Sequence, residues 1–194
     1  MSEHSCLSSI TMGAKTAMLA IDGIEQDQIQ RYVHTLRPGE VIHAAGQAPL
    51  ADAVYPAADD LIYAVPLPRA ALFCSLPFLD LLPSEMPDHL IAAAAGRRMV
   101  LHCMHSVSDA LTFAVWENGT LVRSLGVAAD SGVYEEIGDP LAFEVPFWAG
   151  DHPAGDDYPL PFHPLDLGEA AIPALLGIED IFLSGMPTQA FRIS

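Results

Sequence analysis

Basic residues are what this chain has least of. Eight lysines and arginines face 25 aspartates and glutamates in 194 residues, and Lys15 is the only lysine. Between Arg123 and Arg192 there is no Lys or Arg at all, while twelve acids fall in that span. A nucleic-acid-binding surface needs a basic footprint to release counterions from phosphate. The charge balance therefore excludes DNA, RNA and anionic lipid surfaces as partners. Cysteine is scarce too. Cys6, Cys74 and Cys103 are odd in number and contain no C-x-x-C pair, which suits reduced thiols in a cytoplasmic protein. Long apolar runs are missing: "IAAAAG" is short and "ALFCSLPFLDLL" is cut by Pro77 and Asp80, so nothing approaches the ~20 residues of a membrane span. The opening "MSEHSCLSSIT" has neither a basic region nor an apolar core, so it does not read as a signal peptide.

What remains is an acidic chain, half of it hydrophobic, with a formal charge of −17. Its length suits one domain able to bury roughly 70% of its unfolded surface, without a disulfide or metal to staple it. We read residues 1–11 as a disordered tail, 12–194 as a single domain, and 150–165 as a Pro-rich acidic loop within it. The acidic excess has two readings. One is solubility for an Ala-rich chain; the other is a basic protein partner.

The fragment "GAKT" at residues 13–16 resembles the end of a phosphate-binding loop, and its context rules that out. Ala14, not Gly, precedes Lys15, and Ser9 stands where the first glycine belongs. The apolar "TAMLAID" that follows predicts a strand, whereas a phosphate loop opens a helix.

Along the chain, Ile29, Tyr32, Val33 and Leu36 fall at helical spacing, with Asp27 as a candidate N-cap and Pro38-Gly39 as the stop. "EVIHAA", "LIYAVPL" and "RAALFCS" predict strands, the last two pushed towards a sheet edge or an irregular turn by Pro66 and Pro68. "SEMPDHLIAAAAGRR" predicts a helix with Ser84 as capping candidate and Gly96 as its end. "MVLHCMHS" predicts a strand, and the β-rich runs around Asn118-Gly119 predict a two-residue type I′ hairpin. "LAFEVPFW" reads as a further strand, "DLGEAAIPALLG" as a helix capped from Asp166 to Glu169 and interrupted by Pro173, and "QAFRIS" as a final strand. Strands before and after each helix, with no βαβ alternation, indicate an α+β domain: an antiparallel or mixed β-sheet with helices packed against it.

The residues that could carry chemistry are "LHCMHSVSD" and the Pro-rich loop. On a strand, His102, Met104 and Ser106 share one face while Cys103 and His105 share the other, so the two histidines cannot ligate one metal unless the strand breaks between them. Cys103 beside His105 permits a thiolate–imidazole pair. If the protein is an enzyme, the candidate catalytic residues are His105, Ser106, Asp109, His152 and His163. The candidate metal ligands are Asp151, His105, His152 and His163. No spacing matches a zinc or calcium template, so no metal and no cofactor is assigned. There is no G-x-S-x-G elbow.

The stretches "MGAKTAMLAIDG", "LHCMHSVSDALTFAVWENGTLVRSLGV", "IGDPLAFEVPFWAGDHP" and "YPLPFHPLDLGEAA" resemble a family of uncharacterised actinobacterial proteins, domain of unknown function 6928. The resemblance covers Met12 to about Gly177. It implies a bacterial protein in which His102, His105, Ser106, Asp109, His152 and His163 fall inside recurring motifs, and it implies no reaction. The expectation is a non-enzymatic cytoplasmic binding or interaction protein, engaging a basic protein or a small ligand. The alternative is a histidine-centred hydrolase, with or without a metal, which requires His105, Asp109, His152 and His163 to converge in one cleft.

Overall fold

The computed structural model describes residues 15–178 and 186–194; the tail expected over 1–11 lies outside them. Among the described residues nine strands form one sheet: β1 Lys15–Asp22, β2 Ile42–Ala48, β3 Leu61–Pro66, β4 Ala70–Cys74, β5 Met99–His105, β6 Ala110–Glu117, β7 Thr120–Ala128, β8 Gly132–Ile137 and β9 Thr188–Ile193. Their order is β2-β9-β3-β4-β1-β5-β6-β7-β8, and every pairing is antiparallel. The α+β class stands, with an antiparallel sheet.

Alternation along the strands gives the sheet two buried faces. On one, Met18, Val100, Phe113, Leu125 and Val127 pack against α2 (Leu50–Val54), α4 (Val145–Ala149) and α5 (Pro164–Leu176). On the other, Leu19, Phe73, Leu101 and Trp116 pack against α1 (Ile29–Leu36), α3 (Asp88–Ala94) and the 3₁₀ turns that precede α3. Helices cover both faces, so the central strands are apolar on both sides, and the run "TAMLAI" is buried throughout.

The hairpin between β6 and β7 turns at Asn118-Gly119, whose φ angles of 51° and 79° are those a type I′ turn requires. Several boundaries differ from expectation. Pro66 and Pro68 do not mark an edge: β3 and β4 are interior strands, and the prolines sit where β3 ends and turns, with Leu67 N–H bonding Ala70 O at 2.9 Å. Asp27 is not the cap of the first helical segment; Glu25 and Gln28 form a capping box around a 3₁₀ turn instead. Ser84 does not cap α3, because Pro87 holds that position and the Ser84 hydroxyl bonds Glu135 Oε2 at 2.6 Å. The helix α5 begins earlier than the Asp166 signal, capped by His163.

The largest correction is at "LAFEVPFW", which is a turn and the short helix α4, not a strand. Glu144 dictates it. Its fully buried carboxylate takes Arg123 Nε–H at 3.0 Å, Arg123 Nη2–H at 2.5 Å and, at a part-buried position, the N–H of Leu141 at 2.7 Å. Arg123 also donates to the carbonyls of Ile137 and Gly138. A chain wrapped around one guanidinium in this way cannot stay extended. The strand that does follow the hairpin, β8, is the acidic "GVYEEI".

Candidate functional site

Strands β5 and β6 join through the turn Ser106–Asp109, and the candidate residues divide around it. His102 points into the face covered by α5. It is fully buried, and its Nε2–H donates to Gly168 O at 2.9 Å while Nδ1 has no partner. Burial pushes the imidazole down to about 4, so it is neutral at physiological pH. Gly168 is what lets α5 come this close: a Cβ there would lie 2.4 Å from Met104 Sδ. His102 is thus a clasp between β5 and α5.

His163 and Asp109 do converge. His163 Nε2 lies 3.5 Å from Asp109 Oδ2, and Tyr158 donates its hydroxyl to the same oxygen at 3.2 Å. The Tyr158 and His163 rings stack at 5.0 Å, and burial followed by the Asp109 charge raises the phenol to about 12. The other nitrogen of His163, Nδ1, accepts the N–H of Leu165 at 3.3 Å. Both ring nitrogens are therefore committed, one to pinning the loop and one to starting α5. His152 goes elsewhere, stacked on Phe147 at 4.4 Å, and Asp151 is exposed beside it. Among the described residues no three His, Cys, Asp or Glu side chains gather as metal ligands.

His105 lies on the opposite face from His102, as strand alternation expects, and it opens onto a cleft of about 260 Å³. Lys15 is its cross-strand neighbour on β1. Leu79 and Asp80 come from the 3₁₀ turn after β4, Thr112 from β6 and Tyr134 from β8. His105 Nδ1 is 2.7 Å from Ser108 Oγ, which fixes the ring, and partial burial and then the Lys15 charge lower its pKa. Tyr134 O–H and Thr112 Oγ1 share a hydrogen bond of 2.6 Å. The Tyr134 ring rests over Gly126, where a Cβ would lie 2.2 Å from it. Cys103 lines the floor, but burial pushes its thiol up to about 12 and its Sγ–H donates to Phe78 O at 3.4 Å. It stays a thiol, so the thiolate–imidazole pair with His105 does not form.

The chemistry-bearing residues that sequence reading missed are Lys15, Asp80, Thr112 and Tyr134. Lys15 was visible as the single lysine and as part of the rejected phosphate-loop fragment, neither of which points to this cleft. Its ammonium forms no hydrogen bond or ion pair among the described residues, and neither does the exposed Asp80 carboxylate.

Fold and site together define an α+β domain with an antiparallel sheet, covered on both faces and carrying a small polar cleft at a strand end. The family of unknown function (DUF6928) matches residues 7–187, and the chain belongs to that family. No curated protein and no solved structure matches it.

Proposed function

We propose that the protein is a non-enzymatic binding protein whose recognition site is the cleft between Lys15, Asp80, His105 and Tyr134. The observation that carries this reading is that four stretches distant in sequence, at Lys15, Leu79 with Asp80, 103–112 and Tyr134, converge there, and that Lys15 and Asp80 have no hydrogen-bond or ion-pair partner among the described residues. Elsewhere in the molecule His102, Asp109 and His163 are spent on structure. The cleft falls below the ~300 Å³ at which drug-sized ligand pockets begin, so the ligand is metabolite-sized. No helix among the described residues is long and apolar enough to cross a membrane. We assign the protein to the cytoplasm on its reduced cysteines. Thermal-shift screening of small polar metabolites tests the reading, with Lys15→Met as control. Hits that the variant abolishes support it; hits that are indifferent to Lys15 and His105 refute it.

A second reading, capture of a basic protein, is favoured by the acidic stretch after Arg123. Of its acids, Asp130, Glu136, Asp139, Asp151, Asp156, Asp157, Asp166 and Glu169 are exposed. Such binding weakens steeply with salt; salt-insensitive capture would remove the electrostatic basis. A hydrolase draws less support. His163 has no nitrogen left to take a proton from a nucleophile, His105 faces a different layer, and His152 joins neither.

A further inference from the structure

Resting on the reading of the cleft as a ligand site, we propose that its ligand is a small zwitterion with the charge pattern of an α-amino acid. The carboxylate lies toward Lys15 and the ammonium toward Asp80.

The cleft holds one group of each sign, delivered by unrelated elements. Lys15 comes from the start of β1 and Asp80 from the turn after β4. The two do not form an ion pair, although three of the arginines, Arg37, Arg98 and Arg192, pair with a carboxylate at a partly exposed or exposed position. Among the described residues, each charge is thus left to a ligand group. Between them stand neutral groups able to bond either end: the imidazole of His105, held by Ser108, and the Thr112–Tyr134 hydroxyl pair. Leu79 and Ala110 supply apolar wall for a short side chain.

The alternatives fit less well. A simple anion meets Lys15 but also Asp80, and it must approach a molecule of charge −17. A simple cation is drawn to that field but meets Lys15 at the site. A phosphate would want several donors of one sign, and the sequence around Lys15 offers no glycine-rich cradle. A molecule with no net charge and two separated charges crosses the acidic field without penalty and satisfies both walls.

Isothermal titration of the full chain decides it. The probes are glycine, alanine, serine, leucine, phenylalanine and glutamine, each compared with its N-acetyl and its carboxamide derivative. At least one amino acid is expected to bind, with about tenfold or greater loss in each capped form, since each cap removes a charge-assisted hydrogen bond. Lys15→Met is expected to abolish discrimination at the carboxylate end and Asp80→Asn at the amine end. Capped forms binding as well as the parent would overturn the zwitterion while leaving the cleft a ligand site, provided that binding still depends on Lys15 or Asp80. No binding by any amino acid overturns the zwitterion. If the broader screen is also silent on Lys15→Met, the cleft reading fails with it.

Discussion

His102 makes a measurable pH liability. Unfolded, its imidazole titrates near the ordinary 6.5; folded, burial holds it down to about 4. Above pH 6.5 both states are neutral and the stability conferred by the clasp is complete. As pH falls, the unfolded chain takes up a proton that the folded one refuses, so stability drains away between about 6.5 and about 4 and the dependence stops below that. A gap of this size corresponds to about 3 kcal/mol, a large share of a marginal total. Carboxylates titrate in the lower half of the same window, so the comparison must be differential. His102→Gln keeps an N–H aimed at Gly168 O and removes the titration. Urea unfolding of both proteins at steps from pH 7.5 to 4 then gives a difference curve in which the carboxylates cancel. The wild type should lose about 3 kcal/mol more than the variant, with the onset near 6.5. A flat difference curve would show that the imidazole titrates alike in both states, and the buried neutral clasp would be wrong.

Three further outcomes follow from packing and backbone. Gly168→Ala drives a methyl into Met104 Sδ and Leu111 Cδ1, and should cost about 1–3 kcal/mol by chemical denaturation; an unchanged midpoint would mean that α5 is not seated as described. Glu144→Ala leaves the buried Arg123 guanidinium with only the exposed Glu136 carboxylate at 3.9 Å, and a loss of about 3–5 kcal/mol is expected, with Arg123→Met plus Glu144→Leu recovering much of it in a double-mutant cycle. Gly119→Val forces a β-branched residue to φ 79° and should lower the melting temperature, whereas an unaltered transition would sink the type I′ turn.

The elements that could be read from sequence are those whose signal is local. Asn118-Gly119 between two β-rich runs specifies its hairpin with no help from the rest of the chain, and the period of Ile29, Val33 and Leu36 specifies α1. "LAFEVPFW" was misread because its alternating apolar pattern is overruled by a distant arginine that wraps Glu144 into a turn. The strand β8 went unseen because an edge strand facing solvent can be acidic, and "GVYEEI" has no apolar stripe to declare it. The split of His102 and His105 to opposite faces followed from strand period alone. The cleft did not, since Lys15, Asp80 and Tyr134 meet only through the order of strands, and no local pattern encodes that.

That order carries a consequence for how the chain reaches its native state. The meander β5-β6-β7-β8 pairs only sequence neighbours, so it can condense early and cheaply. On the other side of β1, β9 is wedged between β2 and β3, strands that precede it by more than a hundred positions and do not touch each other. Until Thr188–Ile193 arrives, β3 presents an open hydrogen-bonding edge and β2 has no partner at all. Closing that loop is entropically the most expensive step in the fold. An apolar edge waiting for its wedge is also where a nascent chain is most open to pairing with the wrong strand. The seam β2-β9-β3 is therefore the place where assembly finishes, and the first place from which it would unzip.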